Sequence, residues 1–252
     1  MLETEIRRRK RERDILLMTH IVLGYPDFDT SRRLVEQMVL AGVDLMELQI
    51  PFSEPMADGP VILHANQKAL AAGATVDRCL ELASRLTREF PISFLFMTYF
   101  NIAFVRGVDR FAKEMSQAGV RGAIIADLPF EEGGPLLAAM ERENIDPVFV
   151  FTPTSRPERL ARIAQQAKGF VYCAARKGVT GSATDFAALD AYLQRCRSAT
   201  KLPLALGFGV QSREDVAAIT GKVDIAVVGS ESIRVLDRGG VEAVRPFLES
   251  LR

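Results

Sequence analysis

The chain has 252 residues, a length that suits one large domain and is typical of α/β barrels. Apolar residues make up 48% of the chain, enough for a sizeable core, and Lys plus Arg equal Asp plus Glu at 32 each. A chain without net charge has no overall field to attract nucleic acid or an anionic membrane. Three scattered cysteines and two distant histidines favour neither a disulfide framework nor a zinc cluster.

The first 14 residues are charged throughout and contain no apolar run. We therefore expect a leading, mostly solvated helix rather than a signal peptide or a membrane-spanning segment. Together with the composition, this segment indicates a cytoplasmic protein.

From there to the end, short apolar runs alternate with amphipathic helical patterns. Near-continuous apolar strands are typical of a parallel sheet that helices cover on both faces. Eight such units favour a (β/α)8 TIM barrel, formed by one domain over residues 1–252 with an extra N-terminal helix. A doubly wound open sheet is the alternative, although no Gly-x-Gly-x-x-Gly follows the first strand. The predicted strands are 16–23, 43–50, 92–98, 122–126, 147–151, 169–174, 203–207 and 223–228.

The second predicted strand and the loop after it carry the candidate catalytic acids. Glu47 lies inside the apolar strand, where an ionised carboxylate is costly unless it is paired or protonated. Asp58 follows eleven residues later, in a loop that could fold back over the strand end. Two such carboxylates are a candidate acid/base pair. A buried ion pair for Glu47 is the alternative, although the neighbouring pattern offers no obvious cation, and Asp58 could equally stabilise a turn.

Glycine-containing segments follow the last three predicted strands, at residues 178–181, 207–209 and 229–230. Barrel enzymes often hold phosphate with their last βα loops and a helix N-terminus, where backbone N–H groups point at the anion. Each segment alone is a weak signal, because Gly-x-Gly also marks ordinary turns. Their placement on three consecutive loops predicts a phosphate site.

Apolar and aromatic residues stand at four strand ends. Packing of the barrel is the simplest interpretation of each one alone, but together they could form a slot for a flat aromatic ring. They are Met97, Tyr99, Tyr172 and Phe208.

The segment 46–60, which reads MELQIPFSEPMADGP, resembles the signature of the tryptophan synthase α-subunit family. Further matches follow in the same order over nearly the whole chain, at 23–26, 97–101, 126–129, 178–181, 207–210 and 228–230. The resemblance implies a TIM barrel that acts as a carbon–carbon lyase in tryptophan biosynthesis. Its reaction would be the retro-aldol cleavage of indole-3-glycerol phosphate to indole and glyceraldehyde 3-phosphate.

The resemblance also implies roles for individual residues. Glu47 would be the general acid/base, and Asp58 would contact the indole nitrogen. Tyr172 would position the catalytic Glu, and Thr180 would hydrogen-bond the catalytic Asp. The substrate phosphate would lie against Gly181, Gly209, Gly229 and Ser230.

A β-subunit partner is implied as well, in an α2β2 complex. It would receive indole and join it to serine with pyridoxal phosphate, so that this cofactor belongs to the partner and no cofactor or metal is expected in this chain. The residues implied to face the partner are Pro51, Glu54, Asn101 and Pro129.

Four positions depart from the family pattern. Gln49 replaces a usual Gly, and Glu54 replaces a usual Asp. His20 stands where Phe is common; a lone His on an apolar strand is usually a core residue with a hydrogen-bond partner, but it could also line the indole pocket. Lys177 replaces Ser or Thr and raises Schiff-base aldolase chemistry as an alternative, which its place beyond the strand disfavours.

Three other functions stay open at this point. The chain could be a stand-alone indole-glycerol-phosphate lyase without a partner. It could be another phosphate-binding barrel enzyme, such as an isomerase or a lysine aldolase. It could also be a non-catalytic regulatory subunit, against which the presence of both candidate acids and Tyr172 argues.

Overall fold

The computed structural model describes residues 1–175, 186–207 and 209–252. Strands and helices alternate along these ranges, as the apolar runs predict. The strands are β1 (Leu16–Val22), β2 (Leu45–Gln49), β3 (Ser93–Thr98), β4 (Gly122–Ile125), β5 (Asp146–Pro147), β6 (Phe149–Phe151), β7 (Val171–Ala174), β8 (Leu204–Gly207) and β9 (Ile225–Val228). The helices are α1 (Leu2–Arg9), α2 (Phe28–Leu40), α3 (Pro60–Ala71), α4 (Val76–Glu89), α5 (Phe100–Arg106), α6 (Val108–Gln117), α7 (Gly134–Arg142), α8 (Pro157–Gln166), α9 (Phe186–Ala199), α10 (Arg213–Ile219), α11 (Ser230–Gly239), the 3-10 helix Val241–Ala243 and α12 (Val244–Ser250).

All strand pairings are parallel, in the order β5-β4-β3-β2-β1-β9-β8-β7-β6. The two ends of this order, β5 and β6, are pieces of one stretch that only Val148 separates, and they pair with β4 and β7 respectively. Pro147 has no N–H for a sheet ladder, which suits its place at this division. The sheet therefore closes on itself through the divided stretch. The predicted TIM barrel is confirmed, and the open-sheet alternative is wrong.

Side chains alternate between the inside of the barrel and the surrounding helices. On β1, Leu16 and Met18 belong to a buried cluster inside the barrel together with Leu45 of β2. Leu17 and Ile21 belong instead to the larger cluster that includes the helices. This period of two means that the inward positions at the carboxyl ends of neighbouring strands meet in one place.

Helix α1 closes the end of the barrel at which the strands begin. Leu2 and Ile6 are buried and pack in the inner cluster. The backbone N–H of Leu2 donates to the Asp146 carboxylate at 2.7 Å, and a Cβ on Gly122 would lie 2.7 Å from the Leu2 side chain. The expectation of a mostly solvated helix is wrong for this face, because two apolar residues one turn apart are enough to fill the barrel end.

A buried carboxylate joins both termini of the chain at that same end. Asp44 is buried and accepts a hydrogen bond from the Leu17 backbone N–H at 3.0 Å. It also forms ion pairs with Arg9 at 3.4 Å, Arg13 at 3.1 Å and Arg252 at 3.0 Å. A buried charge is tolerated when it is paired and hydrogen-bonded in this way.

Helix α5 is an element that the sequence pattern does not indicate. Its residues continue the apolar run of β3 without a clear amphipathic spacing, so they read as strand or loop. Phe104 and Val105 on this helix are exposed, at 66% and 77%. Within the ranges that the structure describes, no helix combines the length and the apolar content needed to cross a bilayer.

Candidate active site

A cavity of about 460 Å³ opens at the carboxyl ends of the strands. Its walls are inward-facing strand residues together with the loops that follow β2, β8 and β9. This is the face at which TIM barrels carry their functional residues. Polar and charged residues in its lining are His20, Glu47, Asp58, Thr152, Tyr172, Gln211, Ser230, Glu231 and Arg234.

Glu47 is paired with His20 inside this cavity. The two residues lie side by side in the register of β2 and β1, and His20 Nδ1 is 3.0 Å from Glu47 Oε2. Both side chains are almost fully buried, at 1% and 3% exposure. Glu47 Oε1 and His20 Nε2 have no hydrogen-bond partner among the described residues. One oxygen of the carboxylate is thus held by His20, and the other is left for a ligand.

The pKa of His20 reflects two opposing influences. Burial disfavours the imidazolium and is the largest influence, but the hydrogen bond and the charge of Glu47, with a contribution from Asp58, outweigh it. The pKa of His20 is therefore raised above its ordinary value. The partner of Glu47 is not evident in the sequence, because the pairing depends on the register between two strands.

Asp58 is held over the strand end by two amides. Gln49 Nε2 donates to Asp58 Oδ2 at 2.6 Å, and Asn66 Nδ2 lies 3.4 Å from the same oxygen. Asn66 is itself fixed, because it donates to the Ile62 carbonyl at 2.8 Å and accepts from the Phe52 backbone N–H at 2.9 Å. Burial raises the pKa of Asp58 in spite of these donors. The unusual Gln49 thus has a physical explanation, since it orients the second candidate acid.

Tyr99 lies beside the cavity and is absent from its lining. Its hydroxyl accepts the Ala57 backbone N–H at 3.1 Å, and its ring stacks on Phe52 with centroids 5.1 Å apart. Its predicted place in a ring-binding slot stays a prediction. The contacts that the structure shows support the loop that carries Asp58.

Tyr172 lies on the inner face of β7, packed against the β8 residue Gly207. A Cβ on Gly207 would overlap the Tyr172 hydroxyl and lie 2.7 Å from its Cζ. Burial and the nearby charges of Glu47 and Asp58 raise the pKa of Tyr172 well above its ordinary value. The phenol therefore stays protonated and can act as a hydrogen-bond donor at the cavity wall.

The substitution Gly207→Ala is expected to lower the free energy of unfolding by about 1–3 kcal/mol, because the methyl group displaces the Tyr172 ring. Urea denaturation measures the effect. Gly134→Ala is the matched control, since a Cβ there meets nothing within 4 Å. Equal stability of the two variants would contradict the close contact between Gly207 and Tyr172.

The predicted phosphate residues that the structure describes all line the same cavity. They are Gly209, Gly229 and Ser230. Gly229 is the N-cap of α11 and Ser230 its first residue, so backbone N–H groups of the first turn are available. Gly209 has a φ of 67°, a conformation that favours glycine. Thr180, Gly181, Phe208 and Lys177 lie outside the described residues.

Arg234 is a cation in the lining of this cavity that the sequence analysis missed. It lies one helical turn after Ser230, and this spacing was the available signal. Its guanidinium donates to Glu231 Oε2 at 2.9 Å, and Glu231 also accepts from Arg238 at 2.7 Å. The two arginines and the one carboxylate thus leave a net positive charge near the start of α11.

The residues predicted to face a partner follow the carboxyl ends of β2, β3 and β4. Glu54, Asn101 and Pro129 are exposed. Pro51 is buried just after β2, and its role in a partner contact stays a prediction. Among the residues that the structure describes, no group of His, Cys, Asp and Glu is arranged to hold a metal ion.

The site thus combines three chemical features. The buried Glu47 and the half-buried Asp58 line it, an apolar stretch of wall is formed by Met97, Ile124 and Val150, and glycines with a helix N-terminus supply backbone donors. Such a cavity suits a ligand with a flat apolar group and a phosphate, and an acid/base reaction between them.

Comparison with known proteins agrees with this geometry. The family model of the tryptophan synthase alpha chain matches residues 6–246. The tryptophan synthase alpha chain of Syntrophotalea carbinolica is 60% identical over 253 residues and that of Desulforapulum autotrophicum 59% identical over 252 residues, each covering 100% of both chains.

Solved structures are similar over the same extent. Tryptophan synthase of Mycobacterium tuberculosis matches with a TM-score of 0.92 and 32% identity, covering 99% of this chain and 96% of that one. A tryptophan synthase complex from Pyrococcus furiosus matches with a TM-score of 0.86 and 27% identity, covering 94% of this chain and 97% of that one.

Proposed function

The chain belongs to the tryptophan synthase alpha chain family, whose members cleave indole-3-glycerol phosphate, and on that premise we propose that Glu47 and Asp58 carry out the cleavage here. The observation that supports this assignment best is the state of the two carboxylates. Both line one cavity, and Glu47 keeps one buried oxygen without a partner. Such an oxygen is costly to bury unless a ligand completes it.

Glu47 is proposed to move the protons. It gives a proton to C3 of the indole ring, which turns the ring into an indolenine-like cation able to accept electrons. Removal of the proton from the adjacent glycerol hydroxyl then breaks the carbon–carbon bond, whose electron pair restores the indole ring while the hydroxyl becomes the aldehyde. Glu47 takes up that proton, so that its protonation state is unchanged after one turnover.

Asp58 is proposed to stabilise the charge that develops at the ring nitrogen. A fixed carboxylate in a site with little water stabilises a nearby positive charge strongly. Gln49 and Asn66 hold Asp58 in one orientation, so little reorganisation is needed during the reaction.

The substrate phosphate is proposed to bind at the start of α11. Gly209, Gly229, Ser230 and Arg234 supply backbone donors, a hydroxyl and a cation on that side of the cavity. Thr180, Gly181 and Phe208, outside the described residues, remain part of the proposal through the family resemblance. Binding energy from the phosphate orients the reacting bond between the two acids.

A β-subunit partner is proposed to cover the mouth of the cavity and to receive the indole, with pyridoxal phosphate as its own cofactor. Glu54, Asn101 and Pro129 are exposed beyond the carboxyl ends of β2, β3 and β4, and the exposed apolar side chains of Phe104 and Val105 stand on α5, which begins one residue before Asn101. Exposed apolar patches of this kind are typical of protein contacts.

The test is the release of indole from indole-3-glycerol phosphate by the purified chain, with and without a tryptophan synthase β-subunit. We expect slow release by the chain alone and an increase on the order of tenfold or more with the partner. Fast release that the partner does not change would contradict the proposed dependence on a β-subunit and favour a stand-alone lyase. No release in either mixture would contradict the proposed reaction.

A further inference from the structure

We propose that His20 is a positioning residue for Glu47, which holds one carboxylate oxygen by its Nδ1 and shares with it the proton that the reaction uses. This inference rests on the proposed function, because it matters to turnover only if Glu47 moves the protons. It goes beyond the family resemblance, in which this position is commonly Phe and cannot form a hydrogen bond.

The geometry fixes the orientation of the carboxylate. Glu47 and His20 are paired residues of adjacent strands, so their Cα atoms are held by the sheet and the 3.0 Å contact needs no loop to form. With Glu47 ionised, Nδ1–H donates to Oε2. Because Oε2 is engaged, Oε1 is the atom left to face a substrate. Within a rigid barrel, a displacement of about 1 Å in such a group costs on the order of 100-fold in rate.

The groups around His20 allow the pair to hold one proton over a wide pH range. Glu47 faces it from β2, Asp58 from the loop after β2, and Tyr172 from β7, while Glu231 and Arg234 of α11 line the same cavity. Glu231 is itself engaged by Arg234 and Arg238. The carboxylates nearest to His20 thus favour a proton on the pair, in agreement with its raised pKa.

The kinetic test compares His20→Phe with His20→Asn. Phe removes the donor, whereas Asn keeps an amide donor near the place of Nδ1 but cannot carry the shared proton. We expect His20→Phe to lower kcat by about 10–100-fold with little change in KM, and His20→Asn to recover part of that loss. Thr19→Val is the matched control, because its buried hydroxyl has no hydrogen-bond partner and the strand alternation turns it away from the cavity.

The pH profile of kcat is the readout that a merely structural role would not move. In the wild-type chain the imidazole holds the proton of the pair to a pH above the ordinary pKa of a histidine, so the alkaline decline of activity follows the titration of His20. His20→Phe and His20→Asn both remove that titrating group. The alkaline decline is therefore expected to leave its wild-type position in both variants.

The histidine titration can also be observed directly. The chain has two histidines, and the second, His64, is exposed on α3, so His64→Gln assigns the remaining ring signals in an NMR spectrum to His20. In the wild-type chain we expect a raised pKa for His20. In Glu47→Gln the same pKa should be lower than in the wild-type chain, because the nearest charge that opposes burial is then absent.

The outcomes separate the two proposals. If His20→Phe raises KM and leaves both kcat and its pH profile unchanged, or if Glu47→Gln leaves the His20 titration unchanged, the positioning role is wrong even though the proposed function stands. If Glu47→Gln retains near-normal turnover, the proposed function is wrong as well. A moved profile, partial recovery by Asn and a coupled titration together support the inference.

Discussion

Glu47→Gln is expected to lower kcat for indole release by about 1,000-fold, within the range that general acid/base groups contribute. Gln keeps the size of the side chain and can still accept the hydrogen bond from His20 Nδ1, so the cavity keeps its shape. What the variant loses is the proton that indole C3 receives. KM is expected to change little, because the phosphate end of the site supplies most of the ground-state binding.

Single-turnover measurement of indole release provides this value without interference from product release. Glu81→Gln, at an exposed position of α4, is the matched control for the same chemical change and should behave as the wild-type chain does. Near-normal turnover of Glu47→Gln would remove Glu47 from the mechanism. A large rise in KM with unchanged kcat would indicate a binding role instead.

Asp58→Asn is expected to lower kcat/KM by about 100-fold, the size of effect that follows the loss of one group stabilising the transition state. Asn can still accept the hydrogen bond from Gln49, so the loop should stay in place. The loss is therefore that of the negative charge opposite the ring nitrogen. An analogue without the ring N–H should lose much less in this variant, because it has no donor for Asp58 to accept from in the first place.

The stability of Asp58→Asn supplies the control for folding. The pKa of Asp58 is raised in the folded chain, so the ionised carboxylate costs stability at pH values above its unfolded pKa of about 3.9. That cost is absent in acid, grows as the pH rises through the folded pKa, and is constant beyond it. Asn removes it, so the melting temperature at pH 7 should equal or exceed that of the wild-type chain. A lower melting temperature would mean that lost activity reflects a damaged fold.

The architecture could be predicted from the sequence because the strands are short and mostly apolar and alternate with amphipathic helices. The first strand illustrates this, since its predicted range 16–23 and the observed β1 differ by one residue. The division of the fifth strand at Val148 could not be predicted, because it depends on which neighbour each half meets when the barrel closes. Helix α5 could not be predicted because some of its apolar residues, Phe104 and Val105, are exposed, so its sequence carries no clear amphipathic period.

The two candidate acids of the site could be predicted from the sequence, but most of the residues that contact them could not. Glu47 and Asp58 stand out as charges in an apolar pattern, so the sequence alone singles them out. Their partners His20 and Gln49 do not, because each reaches its acid across a strand register or a folded loop. Tyr99 shows the same limit. Its place just after a strand does not indicate that its hydroxyl accepts a hydrogen bond from the Ala57 backbone N–H.

Helix α1 turns the barrel into a chamber with one end closed. Leu2 and Ile6 fill the end at which the strands begin, so in the part of the chain that the structure describes, both products would depart at the carboxyl ends of the strands. Indole and the phosphorylated aldehyde would then leave through the same opening of the cavity. A protein docked over it would accept the first while delaying the second, which ties the order of product departure to the binding of that protein.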